Sequence, residues 1–143
     1  MSLSRHKKRE QLFKLLFRLE FHDEMEMEEQ KRLFFGERPD GEPELTEEDI
    51  SSISGKFDNI TGKLTELDAM VSERTSGWDI NRIGKVELAI LRLALYEMIY
   101  DEDVPESVAI NEAVELSKKY GQDNSSSFVN GVLALFAQKA EDG

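Results

Sequence analysis

The chain has 143 residues and contains no cysteine, three prolines and two histidines. Without cysteine, neither a disulfide framework nor a thiolate metal site can form, and a cytoplasmic protein is the expectation. His6 and His22 do not stand at a helical ligand spacing, and no Gly-rich loop follows a strand to cradle phosphate. No metal and no cofactor is expected. Carboxylates are plentiful, but nothing in their pattern pairs two as acid and base, so the chain is not expected to be an enzyme. The start is basic and lacks the apolar stretch of a secretory signal, and no apolar run approaches the roughly 20 residues of a membrane span.

Charge is abundant and unevenly placed. The formal net charge is −12, which by itself argues against a polyanionic partner. Residues 1–20, however, carry Arg5, Lys7, Lys8, Arg9, Lys14 and Arg18 against Glu10 and Glu20, a local net of +4. Residues 21–50 carry twelve acids against three bases, a local net of −9. Screening confines each charge to about 8–10 Å at physiological salt, so a local basic patch counts for more than the total.

The apolar pattern predicts helices throughout. Val86 to Tyr100, VELAILRLALYEMIY, is apolar on every side of a helical wheel, which predicts a buried central helix. Its charges Glu87, Arg92 and Glu97 read either as a narrow seam facing water or, for Arg92 and Glu97, as a place where a macromolecule docks. Upstream, a helix is expected from Ser4, as N-cap, to about Phe21, with Leu12, Phe13, Leu16 and Leu19 at helical spacing. A short acidic helix follows over Glu24 to Phe35, and the Gly36 to Pro43 stretch GERPDGEP is a turn within one domain. Thr46 with Asp49 reads as a capping box. Ile50, Ile53, Phe57, Ile60, Leu64, Leu67 and Val71 then step by three and four, which predicts one long helix whose seam meets the first and the central helix. Gly55 and Gly62 lie off that seam as candidate bends.

Ser76 and Gly77 break the chain, Asp79 is placed to cap a short segment, and Trp78 reads as a core or lid residue. Past Tyr100, Pro105 opens a helix that buries Ala109, Ala113 and Leu116 and stops at Gly121. A last helix is expected from Asn124 or Ser125 to about Ala140, burying Phe128, Val132, Leu135 and Phe136. The fold class is therefore all-α, in a single domain spanning 1–143.

Four blocks in the C-terminal half carry a resemblance. ILRLALYE (Ile90 to Glu97), VPESVAINEAVEL (Val104 to Leu116), KYG (Lys119 to Gly121) and FVNGVL (Phe128 to Leu133) occur in the order and spacing of the NusB family of transcription antitermination factors. The chain resembles that family over essentially its whole length, least between Met25 and Ser76. The resemblance implies about seven helices in two packed helical bundles. It also implies an RNA-binding protein that pairs with NusE, a small-subunit ribosomal protein, on boxA-type single-stranded RNA. Through that complex RNA polymerase resists termination, notably in ribosomal RNA transcription. Family members occur as monomers or homodimers.

Carried over by position, the resemblance places Arg5, Lys7, Lys8 and Arg9 on RNA phosphates. Lys14 and Phe17 stand where the family tends to have Gln and Tyr, which removes an amide and a hydroxyl while Lys14 adds a phosphate contact. Arg92 is placed against RNA by its guanidinium and Phe128 by stacking. Glu87, Tyr96 and Asn124 are placed at or near the NusE interface. Asn111, Glu112, Asn130 and Gly131 read as structural, completing hydrogen bonds or permitting close helix approach. The alternative is an acidic helical scaffold that binds protein and has little RNA affinity. A ribosomal RNA cytosine methyltransferase also uses this module, but the chain has neither a nucleotide-binding sheet nor a nucleophilic cysteine.

Overall fold

The computed structural model describes residues 2–75 and 80–137, with the side chain of Glu24 excepted. The expectations for Ser76, Gly77, Trp78 and Asp79, and for the last helix beyond residue 137, lie outside the described residues. Among the described residues there are seven α-helices and no strand. They are α1 (Arg5–Phe17), α2 (Met27–Gly36), α3 (Glu47–Thr61), α4 (Leu64–Arg74), α5 (Lys85–Tyr100), α6 (Glu106–Tyr120) and α7 (Ser125–Ala134). Short 3₁₀ turns at Arg18–Glu20, Glu24–Glu26 and Ile80–Arg82 replace the helix ends that periodicity alone would extend. None of these helices is long and apolar enough to cross a membrane. The chain divides into two compact units, residues 1–61 and 62–143.

In the first unit α1 packs on α3, with Leu12, Phe13, Leu15 and Leu16 meeting a core that includes Ile53, Phe57 and Ile60. Ser4 caps α1 by accepting the Lys7 N–H at 3.2 Å. The Thr46 and Asp49 box forms as expected: the Asp49 N–H donates to Thr46 Oγ1 at 3.0 Å, and the Thr46 N–H donates to Asp49 Oδ2 at 3.0 Å. The other Asp49 oxygen accepts the Leu3 N–H at 3.0 Å and lies 3.8 Å from Lys8 Nζ. These donors, led by the Thr46 N–H, hold the buried carboxyl below its ordinary range against the opposing effect of burial.

The long helix expected over Ile50 to Val71 is two helices. Lys63 leaves helical geometry at φ −115° and ψ 9°, and the Thr61 hydroxyl donates back to the Asp58 carbonyl at 3.0 Å. Gly62, the weakest helix former in the run, is where it yields. Ile53, Phe57 and Ile60 thus belong to the first unit, while Leu67 and Val71 are buried in the second, where α4 packs on α5. Gly55 stays inside α3, and a Cβ there would meet nothing within 4 Å.

In the second unit α5 is enclosed by α4, α6 and α7, and Leu88 to Leu95 are buried without a break. No seam is left facing water. Arg92 is 8% exposed and Glu97 1% exposed, so the expectation of a solvated polar stripe is corrected, and Glu97 offers no docking surface either. Ala109, Ala113 and Leu116 are buried on α6 as expected. On α7 the buried set is Val129, Val132 and Leu133, while Phe128 and Phe136 are half-buried and Leu135 is 47% exposed. The helix closes in i→i−3 bonds, Leu135 N–H to Val132 O and Phe136 N–H to Leu133 O, which rotate those side chains off the helical seam. Asn130 and Gly131 are exposed, and a Cβ at Gly131 would meet nothing within 4 Å, so they do not serve close helix approach.

Thr46→Ala removes one half of the capping box and is expected to lower stability by about 1 kcal/mol, read from the urea midpoint. Because the Asp49 carboxyl is depressed in the folded state, its contribution is complete above the ordinary carboxylate range. It is lost as pH falls through the depressed value, so the wild-type advantage over Asp49→Asn should vanish at strongly acid pH.

Candidate nucleic-acid interface

The basic residues of α1 are not equivalent once folded. Arg5 and Lys7 are exposed. Lys8 is half-buried beside Asp49, and Arg9 is buried in the first unit. Lys14 donates to Glu42 Oε1 across the loop before α3. Phe17 is half-buried in a row of rings, 6.2 Å from Phe13 and 5.2 Å edge-on from Phe21. Of the four residues at the basic start, Arg5 and Lys7 therefore present an open cationic surface, with the Lys8 ammonium at its edge.

A second surface lies in the second unit. An open groove of about 940 Å³ is lined, among others, by Arg82, Lys85, Glu87, Tyr120, Asn124 and Phe128. It forms where the start of α5 meets the α6 to α7 turn. Gly121 makes that turn tight: its φ of −92° is ordinary, but a Cβ there would lie 2.7 Å from the Ser117 carbonyl oxygen and closer still to the Ser125 side chain. The Ser125 hydroxyl in turn donates to Glu87 Oε2, which joins the first turn of α5 to that of α7. Glu87 also folds back over Gly84, so a Cβ at that position would require the end of the Glu87 side chain to move.

Three expected site residues, Glu87, Asn124 and Phe128, are thus brought to one groove. Arg82, Lys85 and Tyr120 stand there as well, and sequence reasoning did not single them out. Arg82 opens the stretch that resembles the family and Tyr120 lies in the KYG block, so the signal was present, but nothing local says that they face Phe128. The groove offers cations for phosphates, aromatic faces for bases and polar groups for base edges, which is the equipment single-strand binding requires.

Arg92 and Tyr96 lie outside the groove lining. The Arg92 Nε and NH2 groups donate to the two oxygens of Asp68 at 2.9 and 2.8 Å, a two-pronged ion pair between α5 and α4 that accounts for the residue without RNA. Tyr96 is half-buried with its ring 5.6 Å from that of Tyr100. The Tyr100 hydroxyl donates to Glu66 at 2.9 Å, and that bond raises its pKa. Among the described residues no group of three or more His, Cys, Asp or Glu could hold a metal ion.

Among the described residues, seven helices in two compact units and no strand define an all-α protein. A family model described as the NusB family matches residues 6–138. Transcription antitermination protein NusB of Agathobacter rectalis is 50% identical over 135 residues, covering 94% of this chain and 100% of that protein. The protein of the same name from Lachnoclostridium phytofermentans is 48% identical over 132 residues, covering 92% and 97%. Among solved structures, T. maritima NusB superposes with a TM-score of 0.81 at 30% identity, covering 97% of this chain and 94% of that one. A chain in the crystal structure of a plectonemic RNA supercoil gives a TM-score of 0.75 at 26% identity, covering 96% and 95%. The chain belongs to the NusB family of transcription antitermination proteins, and it is not an enzyme.

Arg92→Ala would leave Asp68 without its two-pronged partner and open space beside α4. It is expected to cost about 1 to 3 kcal/mol in chemical denaturation. The salt dependence of any RNA binding should be unchanged in the same variant, which separates a structural arginine from a phosphate contact.

Proposed function

We propose that the chain is a cytoplasmic antitermination factor that binds boxA-type single-stranded RNA together with NusE and so joins the antitermination complex on RNA polymerase. The observation that carries this reading is the groove in which Phe128 stands with Tyr120, Arg82 and Lys85. A strand laid there would stack a base on Phe128 and set its phosphates against the two cations. Arg5, Lys7 and Lys8 hold phosphates at the start of α1, and Lys14 and Phe17 contribute further along the same helix. Arg9 and Arg92, both buried, serve the fold. The similarity in fold and sequence to a chain solved in an RNA supercoil structure supports RNA as the ligand class.

NusE is assigned to the rim made by Glu87 and Asn124, with Tyr96 farther along α5. Asn124 precedes α7 without a side-chain cap bond and is exposed, so the fold does not depend on its side chain. Asn124→Arg is expected to leave the circular dichroism melt unchanged while reducing the NusE recovered in co-purification. Equal recovery would remove NusE from this rim.

RNA binding is tested by fluorescence anisotropy of a boxA-like strand across a salt series, with NusE present. Each phosphate contact on a single strand contributes a slope of about −0.7 in log affinity against log salt, so Arg5→Ala with Lys7→Ala should flatten the plot by roughly 1.4. Phe128→Ala should cost about 1 to 3 kcal/mol of affinity with little change in slope, because stacking releases no counterions. If wild-type binding is absent, the acidic protein-binding scaffold is the better description; if wild type binds and neither variant differs from it, RNA does not use the start of α1 or this groove.

A further inference from the structure

Lys7, Gln11 and Lys14, with Arg18 at the C-cap, recur at steps of four, three and four, so they form one stripe along α1 and its end. That stripe would ordinarily be open to water, yet Gln11 is 1% exposed. What covers it is the Gly36 to Pro43 loop, which turns through Gly41 in the left-handed region at φ +89°. Arg38 fastens the loop. Its NH2 donates to Gln11 Oε1 at 2.7 Å and to the Pro43 carbonyl at 3.2 Å, and its guanidinium lies 5.1 Å from the centre of the Phe34 ring. Glu42 completes the cover: Gln11 Nε2 donates to Glu42 Oε2 at 3.0 Å, and Lys14 Nζ donates to Glu42 Oε1. Farther along the stripe, Arg18 donates to the Gln30 side chain at 3.0 Å.

We propose that Glu42 is a specificity-determining residue, an internal carboxylate that takes on Lys14 the place of an RNA phosphate and makes Lys14 a conditional contact. This rests on the reading of α1 as an RNA-binding helix. A carboxylate and a phosphate oxygen are both anionic acceptors and compete for the same ammonium protons. Lys14, helped by Gln11 and Arg38, holds the Glu42 carboxyl below its ordinary range, so the competitor stays charged at neutral pH. A strand gains the Lys14 contact only by displacing it. A strand registered by its stacked bases sets a phosphate beside Lys14 and displaces the carboxylate, whereas a strand without that register leaves Glu42 in place and forgoes the contact.

The test is Glu42→Gln, which keeps the length and an acceptor oxygen while removing the charge. Glu44→Gln is its control, since Glu44 is exposed nearby and the change in net charge is the same. Binding of a boxA-like strand and of a scrambled strand is measured over a salt series, with thermal melts confirming that all variants remain folded. Glu42→Gln should bind both strands several-fold more tightly at low salt, with the salt slope steeper by as much as about 0.7 for the added contact. The scrambled strand should gain more than the boxA-like strand, so discrimination narrows, and adding Lys14→Ala should cancel the gain; equal gains on the two strands overturn the specificity role. The proposal is overturned if wild type binds RNA and Glu42→Gln behaves identically. It is equally overturned if Glu44→Gln gives the same gain, or if the gain survives Lys14→Ala. If neither wild type nor Glu42→Gln binds either strand, the RNA reading itself fails, and this inference with it.

Discussion

A charge withdrawn from water persists only where an opposite charge or several hydrogen bonds replace the lost hydration. That constraint governs both units. In the first, the buried Asp49 carboxylate gathers the N–H groups of Leu3 and Thr46 and the ammonium of Lys8, tying the chain's beginning to the start of α3. In the second, burying the middle of α5 obliges Arg92 to fork onto Asp68 and so pins α4 to α5. The same rule sorts the cations by their exposure. Arg5 and Lys7 remain exposed on α1, and Arg82 and Lys85 at the groove, whereas the remaining basic residues of α1 are occupied or covered to differing degrees.

Local features of the fold were legible in the sequence because they depend on neighbours in the chain. The Ser4 and Thr46 caps, the α6 face of Ala109, Ala113 and Leu116, and the apolar enclosure of α5 all follow from spacing within one helix. The division of the long helix did not, although Gly62 marked it, because a seam of constant period reads the same whether its two halves pack on one neighbour or on two. The α7 seam failed for a related reason. Periodicity assumes that the helix continues, and beyond Ala134 the chain closes in tighter turns that carry Leu135 outward.

The candidate site was legible only in part. Phe128, Asn124 and Glu87 came from the resemblance and meet in one groove, but Arg82, Lys85 and Tyr120 join them through the packing of α5 against α6 and α7, which no local pattern encodes. The neutralisation of Lys14 was likewise invisible. Its partner Glu42 is 28 residues away, inside a loop that reads as an ordinary turn. Counting the charges of residues 1–20 therefore overstates the cationic surface they present once folded.

Under the proposed function, a chain of net charge −12 serves as a partner for RNA. Affinity from phosphate contacts is indifferent to sequence, so a uniformly basic surface would bind any transcript and be saturated by the commonest ones. An acidic total with a few uncovered cations keeps that indifferent part small, since beyond about 8–10 Å the remaining negative charge is screened from a strand already in place. What is left to decide binding is stacking on the rings of the groove, base-edge contacts and the protein partner. On that proposal two acids of residues 21–50, Glu42 and Asp49, have a function at two levels. They complete the fold by pairing with Lys14 and Lys8, and by occupying those cations they shift recognition from charge toward bases.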